Sequence, residues 1–315
     1  MLVLTHNDLD ALGCVIVLDR VFRNNISKVY YTNYGDMEAV CDKIILEKGS
    51  EKVLFIADVS FTSKPFVLEK LAQNFETVIH CDHHQTPDDF WDKLPNVKHL
   101  FTTDYCATKI LYLKFEDKIN SADSAELSSL VELINVYDVW KSEDEKFDLA
   151  QDLNDYFWYK TKANIPEFRS NILLLAREYE AVNYGKTTDY DAIMTLVNNR
   201  RLEELQKIKE HNLLHRFNTD KCDLSVLLTW DSFNHIMISE MRKGVDIVVG
   251  VSNGIFKVRV RRNSAVTHEM REEIRYRLSS NPNLGHDHAF TFKIENTTQE
   301  EIMNVIKIIL EIVNG

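Results

Sequence analysis

Eight residues of this chain have the types and spacing to do chemistry: His6, Asp8, Asp10, Asp58, Asp82, His83, His84 and Asp138. His6, Asp8 and Asp10 alternate within Thr5-His-Asn-Asp-Leu-Asp-Ala-Leu-Gly13. On an extended strand end they project to one side. Asp58 closes the apolar run Val53 to Ala57, and Asp82-His83-His84 follows Val78-Ile79. Asp138 sits in the largely apolar Asn135-Val-Tyr-Asp-Val-Trp140. Carboxylates and imidazoles brought together suit one or two divalent metals. Each group also has a plain structural reading. Asp8 and Asp10 precede a helix, where carboxylates cap free backbone N–H groups. A lone Asp58 can be a turn former, and Asp138 the end of an amphipathic helix. For the first group, spacing alone leaves capping and metal binding open.

The elements that must position these groups alternate. Residues 1–6, 28–32, 52–58 and 77–82 read as strands, with one more at 96–102. Between them, 8–24, 36–48 and 64–74 have helical spacing. That alternation predicts a doubly wound, mostly parallel α/β sheet. Three of its strands would then deliver acids or histidines to the carboxyl edge, where open sheets bind ligands. Helices are expected at 106–116, 125–140 and 147–159, and a helical stretch from Phe168 to about Asn218. The charged run 199–210 reads as a solvated face. A second, smaller α/β pattern begins near Cys222, with a hairpin at Ser252-Asn253-Gly254. The expected division is 1–160, a helical connector 161–218, and 219–315.

Composition bounds the function. The chain has 315 residues, 44% of them hydrophobic, with a formal net charge of -12. That balance argues against general coating of nucleic acid, though bound cations or a basic patch can still receive a polyanion. No apolar run approaches the ~18 residues of a membrane span. The start has no basic region leading into a long apolar stretch, which speaks against a signal peptide. Five scattered cysteines without a Cys-x-x-Cys pair read as reduced thiols in a cytoplasmic protein.

Taken in order, the four groups resemble the motifs of the DHH phosphoesterase superfamily, named for its Asp-His-His triplet. That superfamily includes single-strand exonucleases, nanoRNases, cyclic-dinucleotide phosphodiesterases and family II pyrophosphatases. The resemblance implies a two-ion centre, with Mn²⁺ as the expected metal and Mg²⁺ or Co²⁺ as substitutes. It implies that His6, Asp8 and Asp58 hold one ion. Asp10, Asp58, His83 and Asp138 would hold the other, with Asp58 bridging. His84 would face the scissile phosphate, and Asp82 would orient the histidines. One departure is the single residue, Asn7, between His6 and Asp8, where many relatives have two or three.

The C-terminal part carries a second signal. Lys257, Arg259 and Arg261 alternate on one strand, and Arg271, Arg275 and Arg277 follow on a helix. Guanidinium groups are good phosphate ligands. The stretch Gly285-His-Asp-His-Ala-Phe290 resembles the DHHA1 domain that accompanies the DHH domain in many relatives. That likeness implies substrate contacts from Gly285, His286 and Arg261, with Arg259 beside them, in a cleft between two domains. Asn283 and Leu284 stand where relatives usually have glycines. The function implied is hydrolysis of short or single-stranded oligonucleotides to mononucleotides. Cyclic or linear dinucleotides are the nearest alternative, and pyrophosphate a weaker one. A catalytically silent nucleotide-binding module is the alternative from another class. No membrane partner is expected, and a homodimer is left open.

Overall fold

The computed structural model describes residues 1–84, 94–163, 190–228, 234–278, 288–294 and 297–315. The chain divides into two compact units, one of Met1–Asp138 with Lys146–Met194, the other of Val139–Glu145 with Thr195–Gly315.

In the first unit, β1 (Leu2–Thr5) is buried along its whole length. β3 (Val53–Ala57) is buried beyond its first residue. Strands covered on both faces need continuous apolar sequence, which is what Val53-Leu-Phe-Ile-Ala supplies. With β2 (Lys28–Tyr31), β4 (Thr77–Asp82) and β5 (Val97–Phe101) they form a five-stranded sheet in the order β2-β1-β3-β4-β5. Every pairing is parallel. This order reverses direction between β1 and β3, and such switch points open a crevice at the carboxyl ends. Register keeps those ends level, with Thr5 opposite Ala57 and Ala57 opposite Cys81.

The helices follow the sequence pattern closely. α1 (Leu9–Phe22) starts at Asp8, whose carboxylate accepts the Ala11 N–H at 3.0 Å. α2 (Met37–Glu47) and α3 (Pro65–Asn74) pack with β1, β3 and β4 in one apolar core. Pro65 opens α3, where its missing N–H costs nothing. α4 (Ala107–Phe115), α5 (Ser121–Asp138) and α6 (Phe147–Ala163) follow.

α7 (Tyr190–His211) ends where Asn212 takes the left-handed conformation, φ 50°. Residues 214–218 then depart from the expected helix. They form β6 (Leu214–Asn218), antiparallel to β7 (Asp223–Leu228). Asn is a common left-handed helix stop, and pairing with β7 decides the conformation beyond it. The part of the expected helical stretch within 164–189 lies outside the described residues. In the second unit, β8 (Ile247–Ser252), β9 (Ile255–Val260) and β10 (Ala289–Lys293) complete the order β10-β9-β8-β7-β6. Only β7 and β8 run parallel, so this sheet is mixed. The hairpin falls at Asn253 and Gly254, with φ of 48° and 78°. Both central residues positive is what the tight hairpin turn requires. α8 (Asn234–Arg242), α9 (His268–Leu278) and α10 (Gln299–Asn314) accompany the sheet. Among the described residues, no helix is long and apolar enough to cross a membrane.

Candidate metal centre

The three strands β1, β3 and β4 deliver their polar residues at the switch point. His6 and Asp8 follow β1, Asp58 follows β3, and Asp82 ends β4 ahead of His83 and His84. α5 contributes Asp138 from its last position. These residues gather into three overlapping donor groups: His6, Asp8 and Asp58; Asp10, His83 and Asp138; and Asp58, Asp82, His83 and His84. Within each group the candidate ligand atoms lie within 4.8 Å of one another. All eight residues singled out from the sequence are therefore in one place.

Asp58 has a left-handed backbone, φ 55°, and its N–H donates to the Cys81 carbonyl at 2.9 Å. β3 thus keeps its pairing with β4 up to the residue that turns. Asp tolerates this region better than most residues, and strain of this kind collects at functional sites. One oxygen of Asp58, Oδ1, lies 3.4 Å from His83 Nε2. The other, Oδ2, is buried with no hydrogen-bond partner among the described residues.

Asp82 organises the histidines. Its Oδ1 accepts the His83 backbone N–H at 2.9 Å and His84 Nδ1–H at 2.7 Å, while Oδ2 is buried without a partner among the described residues. His6 Nδ1 donates to Asp8 Oδ2 at 2.9 Å, which leaves Nε2 as the lone-pair nitrogen when the ring is neutral. His83 Nε2 stands 3.4 Å from Asp138 Oδ2 and 3.8 Å from Asp10 Oδ2. Those separations exceed the ~2.7–3.2 Å of a good hydrogen bond.

The capping reading of the first group holds for Asp8, while Asp10 lies inside α1 rather than ahead of it. Asp8 caps its own helix, α1. Asp10 caps a different one: its two oxygens accept Ala107 N–H at 2.8 Å and Thr108 N–H at 2.9 Å, the first turn of α4. Each carboxylate oxygen has a second lone pair, so capping and cation binding are compatible.

The carboxylates of this centre raise one another's proton affinity. Burial, and then the Asp8 charge, push Asp10 up to about 6. Burial, with the charges of Asp8, Asp10 and Asp138, drives Asp58 well above the carboxylate range. Asp138 is raised in the same way by burial, Asp10 and Asp8. Burial also works on Asp8, but the His6 imidazole outweighs it and holds Asp8 low. Burial and the neighbouring His84 take His83 down to about 3, which leaves it a neutral donor. Burial would lower His84 too, but the Asp82 carboxylate outweighs it and holds the ring above its ordinary value. Crowded carboxylates with orphaned oxygens, beside neutral imidazoles, are a donor set that a divalent cation completes. The mix of nitrogen and oxygen suits Mn²⁺ better than Mg²⁺, which prefers oxygen and retained water.

Sequence reasoning passed over three further residues. Thr108 and Asn135 are fully buried and bond into the site's surroundings. Tyr34 sets its ring 5.7 Å from that of His6. The available signal for Asn135 was its place one helical turn before Asp138.

The C-terminal arginines differ from expectation. Arg275 is 1% exposed, bonded to Glu272 at 2.9 Å, and Arg271 donates to the Val266 carbonyl at 2.7 Å. Helical periodicity turns these two into the unit's interior, so they are not surface phosphate ligands. Arg277 is half-exposed and faces Glu311 at 3.5 Å. Arg261 donates to Asp246 at 2.6 Å, and Arg259 lies over the Trp140 ring, 4.7 Å from its centroid. Arg262 bonds the backbone carbonyls of Val139 and Trp140. Gly285 and His286 lie outside the described residues.

No family model matches the chain. It is 23% identical over 233 residues to the oligoribonuclease NrnB of Bacillus subtilis, covering 69% of this chain and 55% of that protein. It is 27% identical over 166 residues to a 3',5'-cyclic-nucleotide phosphodiesterase of Helicobacter pylori, covering 47% of this chain and 46% of that one. The chain thus spans about half the length of the curated relatives it matches. Its fold is similar to that of a pGpG-specific phosphodiesterase, PggH, from Vibrio cholerae, with a TM-score of 0.56 at 15% identity over 99% of this chain and 98% of that one. The four motifs in order, the switch-point sheet that gathers them and the two distant relatives agree on one likeness, a distant homology to the DHH phosphoesterase superfamily.

Proposed function

We propose that this chain is a divalent-metal-dependent phosphodiesterase that hydrolyses short or single-stranded oligonucleotides, releasing mononucleotides from an end. The observation that carries this reading is Asp58. It belongs to two donor groups at once, and its Oδ2 is buried with no hydrogen-bond partner among the described residues. A carboxylate so placed suits a bridge between two cations. His6 and Asp8 would hold one ion together with Asp58, and Asp10, His83 and Asp138 would hold the other. Two divalent ions, when bound, supply the charge that activates water and neutralises the phosphate in an in-line displacement.

The chain's own residues supply the rest. Asp82 accepts His84 Nδ1–H and favours the protonated ring, whose Nε2–H would donate to a phosphate oxygen. Asp82 also pins the backbone of His83, which keeps Nε2 of that ring among Asp10, Asp58 and Asp138. In the second unit, Arg261 is held by Asp246 and is the proposed phosphate contact, with Arg259 beside it. The relatives support the substrate class, since the names of both concern nucleotide phosphodiesters. Dinucleotides, cyclic or linear, are the second reading.

A substrate panel tests the proposal. Apoprotein is supplied with Mn²⁺ and offered labelled RNA and DNA oligomers of several lengths, cyclic dinucleotides and pyrophosphate. Hydrolysis of short oligomers, abolished by chelation, is expected. Preferred hydrolysis of pyrophosphate, or no hydrolysis of any diester, would overturn it.

A further inference from the structure

Helix α4 begins in an unusual way. Cys106 stands at its N-cap. The first three N–H groups are taken by side chains of two other helices. Asn135 of α5 accepts the Cys106 N–H at 3.0 Å, and Asp10 of α1 accepts those of Ala107 and Thr108. Thr108 does more. Its hydroxyl donates to the main-chain carbonyl of Asp10 at 2.7 Å. One residue therefore grips both ends of Asp10, the carboxylate through its N–H and the backbone through its hydroxyl. Asp10, Cys106, Ala107, Thr108 and Asn135 are all buried, so water does not compete for these bonds. The helix dipole adds to the hold on the carboxylate. Gly13, one turn beyond Asp10, makes the approach possible, because a Cβ there would collide with the Thr108 hydroxyl.

We propose that Thr108 is a positioning residue for the cation site formed by Asp10, His83 and Asp138. It latches α4 onto α1 in the one register that fixes both Asp10 oxygens. The remaining lone pairs then face His83 and Asp138 rather than sampling other rotamers. The inference rests on the proposed reading of that group as a metal site.

The probe is Mn²⁺ alone, titrated into apoprotein and followed by the free-ion paramagnetic resonance signal. Thr108→Val keeps the shape and removes the hydroxyl. Thr108→Ser keeps the hydroxyl and removes the methyl. Partners that orient metal ligands typically contribute about 10- to 100-fold in affinity. Thr108→Val should weaken one of two sites by about that factor and leave the other unchanged, while Thr108→Ser should stay close to wild type. Where Val prevents folding, as judged by circular dichroism, Thr108→Ala replaces it. Equal loss in the Ser and Val variants would assign Thr108 to packing and overturn the proposal. Two wild-type affinities in the Val or Ala variant would overturn it while leaving the metal reading intact. Wild-type protein that binds no divalent ion would overturn both.

Discussion

Substituting Gly13 by Ala perturbs the centre without touching any of its donors. Gly13 lies inside α1 and is buried against α4 and α5. A Cβ at this position would sit 2.6 Å from Ile134 Cδ1 and 2.9 Å from Thr108 Cγ2, and nearer still to Thr108 Oγ1. Carbon atoms in contact ordinarily stand ~3.5–4.0 Å apart. Neither neighbour has space to retreat, since Thr108 and Ile134 are buried. Overpacking of this kind costs ~1–3 kcal/mol. Ala gains about 1 kcal/mol over Gly in helix propensity. Turning Thr108 aside breaks its hydroxyl bond to Asp10, which costs about as much again. The net expectation is a loss of roughly 1–3 kcal/mol. At ~2–4 °C per kcal/mol for a unit of this size, melting should fall by about 2–12 °C. Gly35 is the control, because nothing lies within 4 Å of the Cβ it would gain. Gly35→Ala should be neutral or slightly stabilising. Melting followed by circular dichroism, with and without Mn²⁺, reads both variants. A Gly13→Ala protein that melts at or above wild type, with Mn²⁺ binding intact, would refute the latch.

His83→Ala should lose a bound Mn²⁺ while His84→Ala keeps both ions and mainly slows turnover; equal metal loss in the two variants contradicts the division of roles. Arg261→Ala should impair hydrolysis of short oligonucleotides by on the order of 10- to 150-fold, the equivalent of a ~1.5–3 kcal/mol charged hydrogen bond. Hydrolysis of bis-p-nitrophenyl phosphate should fall far less, and Lys293→Ala, at an exposed position, serves as control. A fourth prediction concerns acid. His80 Nε2 donates to the Val59 carbonyl at 2.8 Å, so its Nδ1 is the acceptor for His99 Nδ1–H at 2.9 Å. Burial lowers both rings, and burial with the His80 neighbour takes His99 to about 3. The unfolded chain, with histidines near ~6.5, therefore binds more protons than the folded one as pH falls. Stability is full above that value and declines below it. His99→Phe keeps the stack with His80 and should flatten this acid limb in melting curves between pH 7 and 4.5. An unchanged slope would show that the pair does not carry it.

The centre was legible because each of its groups ends a strand or helix that the apolar pattern marks plainly. Val53 to Ala57 can only be a buried strand, so Asp58 had to emerge at its end. What the sequence could not express is contact between distant segments. Nothing local says that Asp10 caps α4 rather than α1, since its partners stand almost a hundred positions away. Thr108 and Asn135 look like ordinary helix residues until α1, α4 and α5 are packed together. Arg271 and Arg275 misled for the same reason: charge suggests surface, yet helical phase turns both inward, where they find carbonyl and carboxylate acceptors. Residues 214–218 follow a long helix without a glycine or proline stop, and only the left-handed Asn212 and the pairing with β7 end it.

In the proposed centre Asp58 would serve both cations. The most direct measurement counts Mn²⁺ bound per chain at saturation in wild type and in Asp58→Asn, with circular dichroism confirming that both are folded. Asn keeps the shape of the side chain and removes the charge that both ions would share. Two ions in the wild type, and at most one weakly held ion in the variant with hydrolysis near background, is the result this account predicts. Two tightly held ions in Asp58→Asn, or none in the wild type, would contradict it.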